Sequence, residues 1–369
     1  MWDSLPGVTG SAGEVGGSAA RDGGAERSRW TEPGAFEVAP GVYRIPLPLP
    51  NDALKAVNVY AIRSGDALVL IDSGWALAEA RSQLDDALAA IGSTLSDVTR
   101  FLITHVHRDH YTQAVQLRRE FGTRISLGTD ERPSLELYMS GRVQGLTPQI
   151  ARLRGCGAET IAERLLASIS AGPRTRTIWE LPDDWITAQA GPAGWTRIAI
   201  PGRALEVVPT PGHTRGHVCF RDAAAGLLFA GDHVLPHITP SIGFEPAIAR
   251  LPLGDYLQSL RLVRELPDSV LLPAHGPVSD SVHARIDGLL AHHAARLDAV
   301  AAAVSSGAVT AAETARLLTW TRRDRTLDEL DPFNQMLAVL ETAAHLDLLV
   351  TQTRLRATVD GDVTKYWAP

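Results

Sequence analysis

The chain of 369 residues is 45% hydrophobic and 21% charged, which is typical of a globular protein with a sizeable core. Its formal net charge of −7 provides no overall attraction to nucleic acid or to an anionic membrane surface. Two cysteines are too few for a disulfide framework, no apolar run reaches about 18 residues, and the first residues lack a secretory signal. A cytoplasmic protein without a membrane span is therefore expected.

Strands and one helix are predicted in the first hundred residues. Residues 1–34 are rich in Gly, Ala and Ser and are expected to form a flexible tail. The alternation at 41–45 predicts an edge strand, and two adjacent strands follow on either side of the turn at 64–66. The second of these, at 67–72, is apolar up to its last residue and is expected to be buried on both faces. A helix then ends at Gly92.

The next segment alternates strands and helices. A strand at 101–104 leads directly into a histidine cluster, and a helix at 111–121 and a strand at 125–127 follow, as in open α/β sheets. Residues 130–198 break this rhythm with two or three predicted helices and a stretch rich in Pro, Gly and Trp. That segment is too long for a plain connection and predicts a functional insertion.

The last quarter of the chain is predicted to be helical. Residues 35–290 are assigned to one α/β domain and residues 291–369 to a small C-terminal domain. Three helices and a hairpin around Asp360-Gly361 resemble a winged-helix module. The helices are predicted at 283–304, 311–318 and 332–345, and the strands at 348–356 and 363–367.

Four short segments that follow predicted strands carry five candidate histidine ligands and two aspartates. Imidazole and carboxylate are the ligand set of two closely spaced divalent cations, and such a pair makes hydroxide from water at neutral pH. Four metal-capable side chains within six residues rarely arise from packing alone, so a two-metal hydrolytic site is predicted. The segments are His105-Val106-His107-Arg108-Asp109-His110, Pro211-Gly212-His213, Gly231-Asp232-His233 and Pro273-Ala274-His275-Gly276.

The spacing of these residues suits two ions. Alternate side chains of an extended segment share a face, so His105 and His107 can reach one ion. A turn into the following helix can direct Asp109 and His110 toward a second ion. Asp232, where an apolar strand ends, can bridge both.

Two further histidines and one aspartate complete the predicted site. His213 follows a Pro-Gly turn, and His275 lies between small residues that permit a close approach of backbone and metal. Asp72, at the end of a buried strand, is interpreted as an acceptor that orients a ligating histidine.

These residues resemble the metallo-β-lactamase superfamily over roughly residues 36–290. The resemblance implies an α/β fold, a four-layer αββα sandwich with the site along one edge of its two sheets. It also implies two divalent metal ions, usually zinc, with iron or manganese also accepted. By this resemblance His105, His107 and His213 bind the first metal, Asp109, His110 and His275 bind the second, and Asp232 bridges them.

Two branches of the superfamily are similar to parts of this chain. The segment at 211–217 is similar to the hydroxyacylglutathione hydrolase branch. The C-terminal helices and hairpin are similar to the winged-helix-type extension of the beta-lactamase-like protein 2 branch, some of whose members cleave RNA. Residues 291–369 contain 8 Lys and Arg against 10 Asp and Glu, which favours packing or homodimerisation over nucleic-acid binding. Val106 stands where flavodiiron reductases carry a carboxylate, which disfavours oxygen reduction.

The leading functional hypothesis is hydrolysis of a small-molecule thioester or other activated acyl compound. A metal-bridging hydroxide would attack the carbonyl, and one metal would stabilise the oxyanion. Asp109, His217 and His233 are the expected catalytic residues, because the two histidines adjoin predicted ligands and can donate a proton or position substrate. The insertion would suit an apolar acyl or CoA-like group, with Tyr111, Tyr138 and Trp185 as candidate pocket residues.

Three alternatives remain open at this point. An endoribonuclease or other phosphodiesterase would need a positive track for the phosphate backbone. A mononuclear iron dioxygenase acting on persulfides would reuse much of the motif, and a scaffold would merely retain it. A β-lactamase is not favoured, because those enzymes often use Cys as a ligand of the second metal. The arginines available for a basic track are Arg152, Arg154, Arg174, Arg176, Arg322, Arg323 and Arg325.

Overall fold

The first described residue of the chain lies near the end of the expected tail. The computed structural model describes residues 29–50, 54–141, 146–171, 178–187, 191, 194–321 and 324–369. Residues 1–28 of the expected tail at 1–34 lie outside the described residues. Trp30, in the described part of the expected tail, contacts the fold, since its carbonyl oxygen accepts a hydrogen bond from Arg44 at 2.6 Å.

Among the described residues, the first sheet has seven strands whose spatial order follows the chain. They are β1 (Phe36–Ala39), β2 (Val42–Pro48), β3 (Ala56–Ser64), β4 (Ala67–Ile71), β5 (Val98–Ile103), β6 (Arg124–Gly128) and β7 (Asp184–Ile186). Neighbours are antiparallel from β1 to β4 and parallel from β4 to β7. The prediction of an edge strand at 41–45 was wrong. β2 pairs on both sides, because the short β1, which the alternation pattern did not reveal, occupies the edge.

The second sheet, which faces the first, has five strands in the part of the chain that the structure describes. They are β8 (Arg197–Ile200), β9 (Arg203–Pro209), β10 (Val218–Asp222), β11 (Leu227–Gly231) and β12 (Val270–Pro273), in the spatial order β12-β11-β10-β9-β8. All neighbours are antiparallel except β11 and β12. Tyr60, Ile71 and Leu102 of the first sheet share a buried core with Phe220 and Phe229 of the second.

Helices cover the outer face of each sheet. Helices α1 (Ala78–Ala90) and α2 (Arg108–Phe121) pack on the first sheet, and α6 (Pro252–Glu265) and α7 (Val282–Ser305) pack on the second. This arrangement confirms the predicted four-layer αββα sandwich. The helix expected to end at Gly92 is α1, and Gly92 follows it with the positive φ of 73° that closes such helices.

In its described residues, the predicted insertion at 130–198 contains three helices and ends in the sheets. Its helices are α3 (Arg132–Met139), α4 (Thr147–Gly155) and α5 (Glu159–Ala171), and it also supplies β7 and the start of β8. Leu153, Ile161 and Leu165 of α4 and α5 share a buried core with Met336 and Leu340 of the C-terminal segment. The insertion therefore packs against the C-terminal helices.

Within residues 291–321 and 324–369, the C-terminal segment contains the expected three helices and a hairpin. After α7 come α8 (Ala311–Arg316), α9 (Pro332–Thr351), β13 (Arg356–Asp360) and β14 (Val363–Trp367). The expected domain boundary at 290 and 291 falls inside the continuous helix α7. The first hairpin strand was predicted too early, at 348, because Leu348 and Leu349 continue the buried face of α9. The winged-helix resemblance stays a prediction.

None of the helices among the described residues combines the length and apolar character that a membrane crossing requires.

We expect Phe229→Ala to lower the free energy of unfolding by about 3–5 kcal/mol, because it removes a large ring from the core between the sheets. Phe229 is 1% exposed and meets the Tyr60 ring edge-on at 5.4 Å. Phe121→Ala is the control, since Phe121 is 38% exposed. Urea unfolding monitored by circular dichroism measures both, and equal losses for the two variants would contradict this view of the core.

Candidate metal centre

The predicted ligands converge at one edge of the two facing sheets. They follow the ends of β5, β9, β11 and β12, which lie together at that edge. Buried hydrogen bonds join the sheets there: Val218 N–H donates to the Thr104 carbonyl at 3.0 Å, and Asn58 Nδ2 donates to the carbonyls of Pro273 at 2.9 Å and Gly276 at 2.8 Å. Loops far apart in the chain are thereby fixed against each other.

The first group of potential ligands consists of His105, His107, His213 and Asp232, whose ligand atoms all lie within 4.8 Å of one another. Nδ1 of His107 lies 3.0 Å from Nε2 of His105 and 3.1 Å from Nε2 of His213. Oδ2 of Asp232 lies 3.3 Å from Nε2 of His213. Metal–nitrogen distances of about 2.0–2.1 Å in a tetrahedral zinc site imply nitrogens roughly 3.3 Å apart, so these separations fit one ion.

The second group consists of Asp109, His110 and His275, also within 4.8 Å of one another. Oδ2 of Asp109 lies 3.7 Å from Nε2 of His110 and 3.5 Å from Nε2 of His275. Oδ1 of Asp232 lies 3.6 Å and 3.3 Å from the same two nitrogens. The two oxygens of Asp232 therefore face the two groups separately, as a bridging carboxylate would.

Hydrogen bonds on the far side of two of the ligand rings fix which nitrogen carries the proton. Nδ1 of His213 donates to the Ser241 carbonyl and Nδ1 of His275 donates to the Ala56 carbonyl, each at 2.8 Å. A carbonyl oxygen only accepts, so the neutral rings must carry the proton on Nδ1 and a lone pair on Nε2. That lone pair points into the site.

Asp72 fixes two more rings in the same way. Its carboxylate accepts hydrogen bonds from Nδ1 of His110 at 2.8 Å and from the Thr104 hydroxyl at 3.0 Å. Because the Thr104 hydroxyl donates to Asp72, it accepts from Nδ1 of His105 at 3.1 Å. His105 therefore also presents an Nε2 lone pair to the site. His110 turns its Nε2 toward the site as well; against the effect of burial, the carboxylates of Asp72, Asp109 and Asp232 raise the pKa of this ring to about 10, and a metal ion would displace the proton from Nε2. Asp72 makes the contact with a predicted ligand that its sequence position suggested.

The site contains buried polar atoms that lack a hydrogen-bond partner in the part of the chain that the structure describes. Nε2 of His110, Nε2 of His275 and Oδ1 of Asp232 are buried without a hydrogen-bond partner among the described residues. An unsatisfied buried acceptor costs about 1–3 kcal/mol. Burial also lowers the pKa of His107 to about 3, which keeps that ring neutral. Divalent cations would satisfy these atoms, so the residues fit the metal pair that the fold implies.

The two histidines expected to be catalytic lie behind the ligands. Nε2 of His217 accepts a hydrogen bond from the Asp232 N–H at 3.1 Å, and its Nδ1 contacts the Thr210 hydroxyl at 2.8 Å. His233 is fully buried and packs edge-on against Tyr256 at 5.4 Å. Neither histidine lines the cavity above the site, whereas Asp109 does. Nε2 of His217 therefore faces the backbone of Asp232 and not the cavity.

A cavity of about 480 Å³ lies above the ligands and is walled mainly by apolar side chains. Tyr138 lines it as expected, but Tyr111 stacks behind Trp179 and Trp185 lies under the Arg132 guanidinium. Sequence reasoning missed most of the wall, because nothing in a local pattern links residues so distant in the chain. The missed wall residues are Leu49, Leu54, Trp75, Leu146, Trp179, Leu235, Ile238, Phe244, Phe333 and Leu337.

The arginines considered for a nucleic-acid track do not line this cavity in the part of the chain that the structure describes. Arg152 donates to the Glu245 carbonyl at 2.9 Å, and Arg154 pairs with Glu159 at 3.0 Å. The remaining candidate with described structure, Arg325, lies on the surface. Arg174, Arg176, Arg322 and Arg323 lie outside the described residues.

Comparisons with known proteins agree with this geometry. The model of the Metallo-beta-lactamase superfamily matches residues 53–275. A curated relative from Bacillus subtilis (strain 168), "Probable metallo-hydrolase YqjP", is 27% identical over 336 residues, which cover 88% of this chain and 93% of that protein. The "Atrochrysone carboxyl ACP thioesterase" of Aspergillus fumigatus is 26% identical over 251 residues, which cover 68% of this chain. The chain spans only 45% of the length of that relative.

Two solved structures share the fold over most of their length. A metallo-beta-lactamase family protein from Thermus thermophilus superposes with a TM-score of 0.70 at 26% identity, covering 90% of this chain and all of that one. A beta-lactamase domain protein from Burkholderia ambifaria superposes with a TM-score of 0.67 at 29% identity, covering 91% and 93%. Because the family model also matches more than half of the chain, this protein belongs to the metallo-beta-lactamase superfamily and is a metallo-hydrolase of that superfamily.

Proposed function

We propose that this protein is a dinuclear metal-dependent hydrolase of thioesters or similarly activated acyl compounds. The observation that carries the proposal is the division of seven potential ligands into two adjacent groups, with Asp232 facing both, beneath an apolar cavity that five of the seven line. His105, His107 and His213 would hold one ion, Asp109, His110 and His275 the other, and Asp232 both. Two divalent cations, zinc or alternatively iron or manganese, would lower the pKa of water and polarise an acyl carbonyl.

The cavity wall favours an apolar acyl group. Phe244 lies 5.9 Å from the His107 ring and meets Phe333 edge-on at 5.8 Å, so an aromatic surface begins beside the first group of ligands. Leu337, one turn further along α9, extends that surface. Removing apolar substrate surface from water against these rings would contribute binding free energy of about 25 cal/mol per Å² before other costs. The thioesterase relative from Aspergillus fumigatus supports this substrate class.

A thiolate leaving group suits the groups around the site. Thiols ionise near pH 8.5, so departure of a thiolate needs no strong proton donor. His217 accepts a hydrogen bond through Nε2 and His233 does not reach the cavity, so neither supplies such a donor in this arrangement. His217 instead orients the backbone of Asp232. Asp109 is the expected catalytic residue that reaches the cavity, where it would hold the second ion against the substrate.

The alternative activities receive less support. Arg108 is the only Lys or Arg among the described residues that line the cavity, so the basic track that an endoribonuclease needs is not favoured. A mononuclear iron persulfide dioxygenase would not need the second group, yet Asp109, His110 and His275 converge beside the first.

Assay of the purified protein with thioesters, lactones, phosphodiesters and short RNAs tests the choice, and turnover of RNA without turnover of any thioester would reject the proposal.

Asp109→Ala and His110→Ala are each expected to abolish thioester hydrolysis and to remove about one metal ion per chain, because each deletes a ligand of the second group. The far-UV circular dichroism spectrum should change little. Metal analysis by plasma mass spectrometry, together with initial rates, measures both effects. Asp130→Ala, on an exposed turn nearby, is the matched control. Full turnover in both ligand variants would contradict a role for the second ion.

Asp72→Asn is expected to weaken metal binding by about 10–100-fold, because an amide does not replace a carboxylate that accepts from both His110 and Thr104. Asparagine keeps the shape of the side chain, so unfolding should be little affected. Competition with a chromogenic chelator measures the affinity. Asp66→Asn, in the exposed turn between β3 and β4, is the control. An unchanged affinity in Asp72→Asn would show that the orientation of His110 does not depend on this contact.

Phe333→Ala is expected to lower kcat/KM about 10-fold or more for aromatic or long-chain acyl thioesters and to leave acetyl thioesters nearly unaffected, because only larger acyl groups reach the wall that α9 supplies. Leu337→Ala should act in the same direction. The control is Leu317→Ala, since Leu317 is 59% exposed and lies outside the cavity. Equal losses for short and long acyl groups would place the acyl group elsewhere.

A further inference from the structure

A second cluster of metal-capable side chains lies between α7 and α9, away from the substrate cavity. His292 and His293 of α7 and Glu341 of α9 each place one potential ligand atom within 4.8 Å of the other two. His293 is fully buried, Glu341 is 3% exposed and His292 is partly exposed. None of the three lines the cavity above the candidate metal centre.

A chain of hydrogen bonds fixes the protonation of His293. Nδ1 of His345 donates to the Glu341 carbonyl at 2.8 Å, so the neutral His345 ring carries its lone pair on Nε2. That Nε2 lies 3.2 Å from Nδ1 of His293 and accepts its proton in a hydrogen bond. The lone pair of neutral His293 is therefore on Nε2. Burial lowers the pKa of both rings, which keeps them neutral.

Two acceptors of this cluster have no donor. Nε2 of His293 and Oε2 of Glu341 are both buried without a hydrogen-bond partner among the described residues. Burying such atoms unsatisfied is costly, and a pair of them on facing helices is not explained by packing. An ion that accepts lone pairs from nitrogen and oxygen would satisfy both at once.

We propose that His292, His293 and Glu341 bind a further divalent cation of the zinc class, held between α7 and α9. Two imidazoles and one carboxylate are a ligand set that zinc accepts. His345 would act as a positioning residue, since its hydrogen bond sets the lone pair of His293, as acceptors behind ligating histidines commonly do. The partly exposed ring of His292 gives the ion a route from solvent.

Arg296 lies one turn further along α7. Its positive charge is the alternative to a cation for balancing the carboxylate of Glu341. Burial raises the pKa of Glu341 to about 7, and Arg296 acts in the opposite direction. The Arg296 guanidinium, however, lies over the Trp320 ring at 4.0 Å and donates to the Thr319 carbonyl at 2.9 Å. The hydrogen bond holds Nη1 toward the segment after α8, and Oε2 of Glu341 accepts no hydrogen bond from the guanidinium, so that oxygen stays available to a cation.

The cation would be structural, because the cluster adjoins a support of the main centre. Tyr256 of α6 meets the His293 ring edge-on at 5.5 Å, and its hydroxyl donates to the His233 carbonyl at 3.0 Å. An ion that fixes His293 would therefore clamp α7 and α9 against the helix that backs the loop carrying Asp232. This role does not depend on which acyl compound the enzyme hydrolyses.

The test compares metal content and thermal unfolding of the full-length protein with those of Glu341→Gln and His292→Gln. Each protein is stripped with a chelator, reloaded with Zn²⁺ and dialysed. We expect each variant to hold about one zinc ion fewer per chain and to show a smaller zinc-induced rise in Tm. His292→Gln guards against a folding defect, because this side chain is partly exposed. His283→Gln, in the first turn of α7 and outside the cluster, is the matched control.

Binding of Co²⁺ can be used to distinguish this site from the main centre. In a variant with His107→Ala, His110→Ala and Asp232→Ala, added Co²⁺ should still give a visible absorption band, and adding Glu341→Gln should remove it. The same zinc count in Glu341→Gln, His292→Gln and the unchanged protein would overturn the proposal. A change in Tm without a change in zinc count would assign Glu341 to balancing Arg296 and would likewise overturn it.

Discussion

The site depends on one constraint: each candidate histidine ligand with a partner behind it must keep its proton on the nitrogen that faces away from the pocket. Main-chain carbonyls enforce this at His213 and His275, and Asp72 enforces it at His110 directly and at His105 through Thr104. The result is a set of imidazole nitrogens and carboxylate oxygens that converge on the pocket, and among the described residues Nε2 of His110, Nε2 of His275 and Oδ1 of Asp232 have no hydrogen-bond partner. Such convergence is costly in an otherwise well-packed protein, and divalent cations relieve it.

That constraint is met only because the two sheets are held together at the edge that carries the ligands. Asn58 ties β3 to the segment after β12, where His275 lies. Two glycines permit the required close approach. A Cβ at Gly212 would lie 2.4 Å from the Tyr256 backbone, and a Cβ at Gly231 would lie 2.7 Å from Nε2 of His217, both at positive φ. The sandwich therefore fixes distances that the individual loops do not fix by themselves.

The sequence predicted the ligand-bearing segments because their chemistry is local. His105 and His110 lie in one short motif, and strand ends can be recognised from apolar runs that stop at a turn. The roles expected of His217 and His233 could not be judged in this way, because proximity in sequence does not tell which side of a strand end faces the pocket. Asn58 did carry a signal, as a polar residue within an apolar strand, but its partners lie more than 200 residues away.

The part of the cavity wall that α9 supplies also could not be predicted from the sequence, because it depends on packing between segments far apart in the chain. Phe333 and Leu337 lie early in α9, beyond the residues that the family model matches, yet they face the cavity beside Phe244. They reach it because α9 packs against the insertion helices α4 and α5, through a core that includes Leu153 and Met336. The insertion and the C-terminal helices thus act together. Neither segment carries a predicted ligand of the main centre, but their joint packing shapes the space above those ligands and so constrains which substrates reach them.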